Sequence, residues 1–393
     1  AASSRFFSGS PRHFILINGN RGTEIMTFLY HTAIYLYLLL IRMASPFNKK
    51  AGMWLSGRKN LLADLSNKID KNATYIWVHC ASLGEFEQGR PVIEQIRKEL
   101  PGYKIALSFF SPSGYEVRKN YDGVHLVTYM PIDTPGNAKK FVEILNPHLV
   151  VFVKYEFWFN YLKTLHQKEI PVLIISAIFR KEQHFFKSYG GWFRKQLKHI
   201  HRIFVQNQTS AGLLQSIGVK NVTISGDTRF DRVAAIASEP REFPVVKKFA
   251  EGSKVLLAGS SWPADERFLP ALLKMKPVKL IIAPHEVHED HLKSIEGLFP
   301  EGQVIRFTHA TAHNIGSARV LLINGIGFLS SLYQYCDFAY IGGGFGKGIH
   351  NILEAVTFGK PVIFGPNFKK FNEAVELVER GGAFDFNDET EFR

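Results

Sequence analysis

The sequence has very little cysteine and no clear signature of a metal site. Only two cysteines occur in 393 residues, Cys80 and Cys336, and each stands among apolar or aromatic neighbours. Neither a disulfide framework nor a thiolate metal site is supported by two distant cysteines, so we expect buried free thiols in a reducing compartment. Low-complexity tracts and repeats of fixed period are also lacking, which argues against a solenoid and against extended disorder.

Acidic residues are scarce relative to basic ones. The chain has 48 Lys and Arg against 35 Asp and Glu, a formal net charge of +13. This surplus favours an anionic partner: nucleic acid, an anionic membrane surface or a phosphorylated substrate. No helix-turn-helix, RNP or finger signature is present, so we expect no nucleic acid partner. The length, with 46% apolar and 21% charged residues, predicts a folded protein of two or three domains.

One long uncharged run stands near the N-terminus. Residues 27–41, TFLYHTAIYLYLLLI, carry no formal charge, and the segment 42–59 that follows is basic. The run is shorter than the roughly 20 residues of a spanning helix, so a tilted span, a half-inserted helix, a signal peptide and a buried core helix all stay open. We expect a membrane anchor helix over 26–45, with its basic flank on the cytoplasmic side, after a non-conforming extension over 1–25.

From Tyr75 onward, short β-branched and aromatic segments alternate with helical ones. Seven such segments run from YIWVHC to VTISG, and seven more run from KVLLAGSSW to AFDF. Continuously apolar strands that alternate with helices predict two α/β domains, each a doubly wound parallel sheet. We place them at 46–228 and 253–393, with a linker at 229–252. Ligands bind beyond the carboxyl ends of parallel strands, so the loops there hold the candidate site residues.

Acidic residues follow two strands of the first predicted domain. Glu85, in HCASLGEFE after the first strand, is a candidate general base for an attacking hydroxyl. The spacing from Ser82 to Glu85 also fits a capping box, which would explain both residues without catalysis. Glu156, in KYEFWFN, is either a second acid of the site or a charge at a helix N-terminus.

Basic and small residues at later strand ends suggest an anion site. Arg229, in GDTRFDR, suits a carboxylate or phosphate. The alternative is a domain hinge in which Asp231 pairs with a neighbouring Arg. Ser260, in GSSWPADE, either marks free amides for an anion or is a plain N-cap. His285 is a candidate donor to a phosphate, and solvated helix residues are the alternative. His285 and His288 have only two residues between them, so the zincin pattern does not fit.

Glycines are concentrated in IGGGFGKGIHNILEA, residues 341–355. Glycines let backbone amides approach phosphates closely, and Lys347 adds a positive charge. Glu354, one turn into the following helix, is a candidate acceptor for ribose hydroxyls. A Walker P-loop is excluded because Ile341 and Gly348 stand where that motif needs Gly and Ser or Thr.

These segments together resemble the 3-deoxy-D-manno-octulosonic acid (Kdo) transferases, glycosyltransferase family 30. The matching segments, in order between residues 26 and about 385, are MTFLYHTAIYLYLLLI, HCASLGEFEQGRPVI, EFWFN, GDTRFDRV, GSSWPADE, APHEVHE, LYQYCDFAYIGGGF, GIHNILEAVTFGKPVIFGP and FKKFNEA. The resemblance implies a GT-B fold, in which two Rossmann-like domains face a cleft. It places the acceptor in the N-terminal domain and the CMP-Kdo donor in the C-terminal domain.

The function implied by the resemblance is an inverting, metal-independent transfer of Kdo from CMP-Kdo to a lipid A precursor (lipid IVA) in lipopolysaccharide core biosynthesis. It implies no cofactor, Glu85 as the base, and catalytic domains on the cytoplasmic face of the inner membrane, where the anionic leaflet is a further partner. The implied acceptor-side or cleft residues are Ser82, Gly84, Glu156 and Arg229. The implied donor residues are Ser260, Ser261, Pro284, His285, Gly343, Gly344, Gly346, Lys347, Asn351, Glu354 and Asn372.

An alternative is a GT-B transferase or epimerase that acts on another nucleotide sugar. The chain also departs from the family pattern in two places. Lys154 stands where the family often has the first acid of Glu-Thr-Glu-Leu-Trp, so only the acid at Glu156 is retained. The sequence ends at Arg393, where the family usually continues with a helical stretch, so we expect a truncated form.

Overall fold

The structure is a computed structural model that describes residues 12–274 and 278–392. The chain divides into two compact units, with the boundary between Thr228 and Arg229. Within the described residues, each unit contains one seven-stranded sheet whose strands are all parallel. All fourteen apolar segments singled out in the sequence contribute a strand, so the prediction of doubly wound α/β domains is confirmed.

Unit 1 carries helices on both faces of its sheet. Its strands are β1 (Tyr75–Cys80), β2 (Lys104–Phe109), β3 (Leu126–Tyr129), β4 (Pro147–Val153), β5 (Val172–Ala177), β6 (Arg202–Val205) and β7 (Val222–Ile224). Its helices are α1 (Arg12–Ala44), α2 (Lys49–Ser56), α3 (Leu61–Lys68), α4 (Leu83–Glu99), α5 (Pro112–Arg118), α6 (Pro135–Leu145), α7 (Phe159–Gln167), α8 (Gly191–Leu197) and α9 (Gln208–Ser216), with a 3₁₀ turn at His184–Phe186.

Unit 2 repeats this plan with shorter helices. Its strands are β8 (Lys254–Ser261), β9 (Val278–Pro284), β10 (Val304–Arg306), β11 (Val320–Leu322), β12 (Phe338–Ile341), β13 (Val362–Phe364) and β14 (Ala383–Asp385). Its helices are α10 (Arg229–Ser238), α11 (Pro244–Ala250), α12 (Pro263–Glu266), α13 (Leu269–Leu272), α14 (Glu289–Glu296), α15 (Leu329–Leu332), α16 (Leu353–Val356), α17 (Asn372–Glu379) and α18 (Glu389–Phe392), with 3₁₀ turns at Phe307–His309, Ile315–Ser317 and Tyr333–Tyr335.

The strand order fixes where ligands can bind in each unit. In unit 1 the order is β3-β2-β1-β4-β5-β6-β7, so the direction of winding reverses between β1 and β4. In unit 2 the order is β10-β11-β9-β8-β12-β13-β14, and the reversal lies between β8 and β12. Neighbouring loops diverge at such a reversal and leave a crevice beyond the carboxyl ends of the strands. The acid-bearing loops of unit 1 and the glycine-rich loop of unit 2 follow these central strands.

The segment expected to be a linker, 229–252, belongs structurally to unit 2. It forms α10 and α11, and four of its apolar side chains, Val233, Phe243, Val246 and Phe249, are buried in the core of that unit. These helices are short and interrupted by a charged, proline-containing stretch, so their apolar periodicity is weak in the sequence.

The N-terminal helix is longer than expected. It begins at Arg12, whereas the sequence predicted an anchor from residue 26, and it ends at Ala44. Residues 1–11 of the predicted extension lie outside the described residues. The stretch Gly22–Ala44 is long and apolar enough to cross a membrane.

Candidate functional site

Glu85 lies in the first turn of α4, directly after the central strand β1. The Ser82 amide donates to Glu85 Oε2 over 2.9 Å, and the Ser82 hydroxyl donates to the same oxygen over 3.3 Å. The capping box is therefore formed, while Oε1 makes no hydrogen bond among the described residues. Gly84 beside it is exposed. Burial raises the pKa of Glu85, and the nearby charge of Glu156 raises it further. Capping and proton transfer are thus compatible roles for this one carboxylate.

Glu156 is held in a buried polar network behind Glu85. Its Oε2 accepts from Trp158 Nε1 and lies 3.1 Å from His79 Nε2. His79 Nδ1 lies 2.8 Å from the Ser108 hydroxyl, which also accepts from Trp77 Nε1 over 2.7 Å. An indole can only donate, so the serine proton is free to go to His79 Nδ1 and the imidazole Nε2–H points at Glu156.

This network decides between the two interpretations of Glu156. The helix after it begins only at Phe159, so Glu156 is not a charge in a first helical turn. It is a buried carboxylate, 6% exposed, whose charge acts on Glu85. His79 was not among the predicted site residues, although a histidine inside the apolar strand YIWVHC is a signal that a polar partner lies nearby.

The GDT segment is tied to α4 on the same side of unit 1. Gln88 Nε2 donates to Asp227 Oδ1 over 3.1 Å, and the Thr228 hydroxyl donates to the Gln88 carbonyl over 2.6 Å. Ser176, at the end of β5, has a φ of 52° and shares a 2.7 Å hydrogen bond with Thr228. Lys154, at the end of β4, has a φ of 67°. Non-glycine residues rarely adopt this backbone region, and such strain is concentrated near functional sites.

Arg229, expected on the acceptor side or in the cleft, begins α10 of unit 2. Its guanidinium lies 3.1 Å from Glu373 Oε1 of α17 in the same unit. This ion pair differs from the alternative expectation, in which Asp231 pairs with a neighbouring Arg at a hinge.

Asp265 organises the strand ends of unit 2. This carboxylate is fully buried, and its Oδ2 accepts from the amides of Trp262 and Gly343, each over 2.9 Å. Its Oδ1 accepts from the Tyr340 hydroxyl over 2.7 Å. One side chain thus joins the loop after β8 to the glycine-rich loop after β12. Asp265 was not a predicted site residue, although it stands in the segment GSSWPADE that was singled out for Ser260.

Three aromatic rings stack at the same strand ends. The Trp262 ring lies 4.7 Å from His285, and His285 lies 4.5 Å from His350, with interplanar angles of 26° and 23°. Trp262 Nε1 donates to His350 Nε2 over 2.9 Å, so the proton of the neutral His350 ring is on Nδ1. Burial and the nearby His285 lower the pKa of His350. The stack presents flat rings and an imidazole N–H, which suit a base or a phosphate.

The glycines of the loop after β12 serve close packing. A Cβ at Gly342 would lie 2.1 Å from the Ser260 carbonyl oxygen, and one at Gly344 would lie 2.5 Å from the Gly365 amide nitrogen. Four of the loop amides, those of residues 342, 343, 346 and 348, already donate within unit 2. These four amides are therefore not available to a phosphate. Only the other amides of the loop and the exposed Lys347 could bind one, as the sequence predicted for the loop.

The other predicted donor residues lie around these two loops. Trp262 is the N-cap of α12, so Ser260, with a φ of 53°, is not a plain N-cap. The buried Ser261 donates to Glu266 Oε1 over 2.8 Å. Glu354 Oε1 accepts from Asn351 Nδ2 over 3.3 Å in the first turn of α16. Pro284 ends β9, and Asn372 begins α17, where its side chain lies outside the described residues.

The histidines of PHEVHEDH have separate surroundings. His285 stacks on Trp262, His288 caps α14, and the buried His291 lies 2.9 Å from Glu266 Oε2. Within residues 12–274 and 278–392, no three His, Cys, Asp or Glu side chains are arranged to hold a metal ion. Metal independence of the reaction stays a prediction.

Several known proteins are similar to this chain. A family model described as 3-deoxy-D-manno-octulosonic-acid transferase (kdotransferase) matches residues 56–232. The 3-deoxy-D-manno-octulosonic acid transferase of Aquifex aeolicus is 28% identical over 328 residues, which cover 80% of this chain and 83% of that one. The corresponding transferase of Chlamydophila psittaci is 23% identical over 383 residues, 94% of this chain and 87% of that one.

A solved structure with a similar fold is the UDP-GlcNAc 2-epimerase of Neisseria meningitidis bound to UDP-GlcNAc. It superposes with a TM-score of 0.54 at 16% identity and covers 81% of this chain and 89% of that one. At this identity the likeness shows the fold alone. With the two parallel sheets, it confirms the prediction of a two-domain α/β fold of the GT-B type.

Proposed function

We propose that this chain, which is similar to Kdo transferases, is an inverting glycosyltransferase that moves Kdo from CMP-Kdo to a lipid A precursor. The observation that carries this proposal is the family match over residues 56–232, which includes the ASLGE segment with Glu85. The coarser statement, that the chain is a glycosyltransferase of Kdo, rests on the same match and on relatives that align with most of the chain.

We assign the base of the reaction to Glu85. An inverting transfer needs one base for the acceptor hydroxyl and a leaving group that departs without help, and CMP is such a leaving group. Glu85 Oε1 is free to accept the proton, while Oε2 is fixed by Ser82. A raised pKa makes this carboxylate a better proton acceptor than an exposed one, provided that the pH keeps it ionised.

The donor site is assigned to the loops around Asp265 in unit 2. The stack that includes His285 offers rings and an imidazole donor, and Lys347 offers a positive charge for the phosphate. Asn351 and Glu354 supply polar groups for the ribose. No resident cofactor or metal is needed in this scheme, since the charge of the leaving group can be met by these side chains.

The reaction is assigned to the cytoplasmic face of the inner membrane. The apolar stretch Gly22–Ala44, the basic segment 42–59 and the net charge of +13 support association with an anionic leaflet that presents a phosphorylated lipid.

The test is transfer from freshly made CMP-Kdo to a tetraacylated lipid A precursor in detergent with EDTA, comparing the parent chain with Glu85→Gln. We expect product from the parent despite EDTA and a loss of about 10²-fold or more in the variant. The matched control is Glu99→Gln at the exposed end of α4, which should retain activity. Full activity of Glu85→Gln would remove the assigned base.

The alternative of another nucleotide sugar is tested by ligand-induced stabilisation. CMP should raise the melting temperature of the parent chain, and UDP should raise it less. A larger shift with UDP would favour the alternative and overturn the assignment of the donor.

A further inference from the structure

Helix α1 packs lengthwise along unit 1. Half-buried residues recur at positions 23, 26, 27, 30, 31, 34, 38 and 41, which form one stripe at helical spacing. From residue 23 to 41 this stripe is about 27 Å long, close to the thickness of a bilayer core. The helix therefore lies against protein along the whole stretch that would have to cross a membrane.

Polar bonds fix this arrangement. The Tyr30 hydroxyl donates to Asp133 Oδ2 over 2.6 Å, and His31 Nε2 lies 3.0 Å from Asn160 Oδ1. Asp133 is fully buried and also accepts from the amide of Asn160 over 3.0 Å. If the helix left unit 1 to span a bilayer, this buried carboxylate would lose its tyrosine partner, which is costly.

The opposite face of α1 is apolar and exposed. Its large side chains are Ile25, Phe28, Leu29, Tyr35, Leu36, Leu39, Leu40 and Met43, with exposed fractions of 51–69%. One apolar face on a helix whose other face packs on its own protein is the pattern of a helix that lies in the membrane interface. Cations stand at both ends: Lys195 donates to Thr23 near the N-terminal end, and Arg42 lies in the last turn.

A cavity of about 530 Å³ opens beside the C-terminal end of α1. It is lined by three cations, Arg42, Arg58 and Lys59, by the amides Asn60 and Asn137, and by Ala63. The rest of its lining is apolar: Leu38, Trp54, Leu55, Leu61, Leu62, Pro131 and Ile132. Among the described residues, no Asp or Glu lines it. A cavity with several positive charges and no negative one is complementary to an anion.

Arg58 is the most unusual of these cations. Its guanidinium donates to three backbone carbonyls, those of Trp54, Phe110 and Met130, over 2.7–3.1 Å. Its Cζ lies 3.9 Å from the Trp54 ring centroid. In the part of the chain that the structure describes, no carboxylate contacts it. Burial lowers the pKa of Arg58 to about 9, which is still above neutral pH, so the group keeps its positive charge there.

We propose that this cavity binds the phosphate headgroup of a membrane lipid while the apolar face of α1 lies in the plane of the same leaflet. The three cations receive the phosphate, and the lipid chains continue beside Leu38 and the exposed face of the helix. The headgroup site rests on the membrane association proposed above, and it adds a specific lipid contact and an in-plane orientation of the helix.

The experiment is flotation of the full chain with phosphatidylcholine vesicles that contain or lack phosphatidic acid. One variant combines Arg42→Gln and Lys59→Gln, two exposed cations of the cavity. A cation near an anionic surface contributes about fivefold in affinity, so this variant should bind phosphatidic acid vesicles about 30-fold less well. The matched control, Lys247→Gln with Lys248→Gln, removes two exposed charges from unit 2 and should change affinity by less than about twofold.

A second variant keeps the charge and blocks the space. Ala63→Trp places a large side chain at the exposed rim of the cavity and should remove most of the gain that phosphatidic acid gives over phosphatidylcholine alone. Inorganic phosphate tests whether the cavity binds free phosphate instead of a lipid headgroup. Added at the same concentration as the lipid phosphate, it should not displace the chain from phosphatidic acid vesicles. Equal binding of the parent and both variants to phosphatidic acid vesicles would overturn the proposal, and so would full competition by inorganic phosphate.

The orientation of α1 has its own readout. A fluorophore attached to a cysteine introduced at Ile25, Leu36 or Met43, three exposed positions of α1, should be quenched by lipid-attached quenchers at the same shallow depth. Deep quenching at Leu36 with shallow quenching at Ile25 and Met43 would show a spanning helix and overturn the in-plane placement. These assays contain no sugar donor, so their failure leaves the transfer reaction untouched, and an inactive chain can still show the headgroup site.

Discussion

Replacing Asp265 by Asn should loosen the glycine-rich loop of unit 2. The carboxylate accepts three hydrogen bonds, from the amides of Trp262 and Gly343 and from the hydroxyl of Tyr340. A bond to an ionised acceptor contributes about 1.5–3 kcal/mol and a neutral one about 0.5–1.5 kcal/mol, so loss of the charge should cost about 1 kcal/mol per bond. The three together give about 3 kcal/mol.

Amide hydrogen exchange at Gly343 measures this loss directly. A cost of about 3 kcal/mol in local opening corresponds to exchange faster by about two orders of magnitude. CMP affinity should fall as well, because Trp262 and the glycine-rich loop lose a shared anchor. Tyr340→Phe removes one of the three bonds and should show about a tenfold effect, while Asp290→Asn, on the exposed side of α14, should show none. Unchanged exchange at Gly343 in the Asp265 variant would refute the role given to this carboxylate.

Three further outcomes are expected. Tyr30→Phe should weaken the docking of α1 by about 1.5–3 kcal/mol, seen as faster amide exchange over residues 26–34, because the buried Asp133 loses a 2.6 Å bond; unchanged exchange would contradict this. Gly344→Ala should cost about 1–3 kcal/mol in the stability of unit 2, measured by its melting temperature, since the new Cβ meets the Gly365 backbone at 2.5 Å. The transfer rate should fall with decreasing pH through a pKa above the ordinary glutamate value, because Glu85 must be ionised to act as a base and its pKa is raised; an acid limb below pH 4 would contradict that.

The strand pattern is visible in the sequence because a parallel sheet buries both faces of each strand. Segments such as YIWVHC and KVLLAGSS are mostly apolar and do not alternate strictly with polar residues, and each forms a strand. The loops after them can also be located, since strand ends are local features. Glu85 and the glycine-rich segment are therefore identifiable from the sequence alone.

The helices of segment 229–252 are harder to predict. Their apolar residues contact the core of unit 2 at long range, and a short helix carries too few of them to show a period. The start of α1 at Arg12 is likewise hidden, because residues 12–25 mix polar and apolar types. Helix boundaries depend on what the helix packs against more than on its own composition.

The roles of individual side chains were decided by tertiary structure. The sequence by itself determined the fold class, the resemblance to Kdo transferases and the positions of the loops, because these follow from local composition, periodicity and motifs. It could not show that His79 holds Glu156, that Asp265 joins two loops, or that Arg58 contacts no carboxylate among the described residues. The contacts of His79 with Glu156 and of Asp265 with Tyr340 join residues that are 77 and 75 positions apart, and only the packed fold brings such residues together. Whether a side chain has no carboxylate partner is likewise decided by what packs around it.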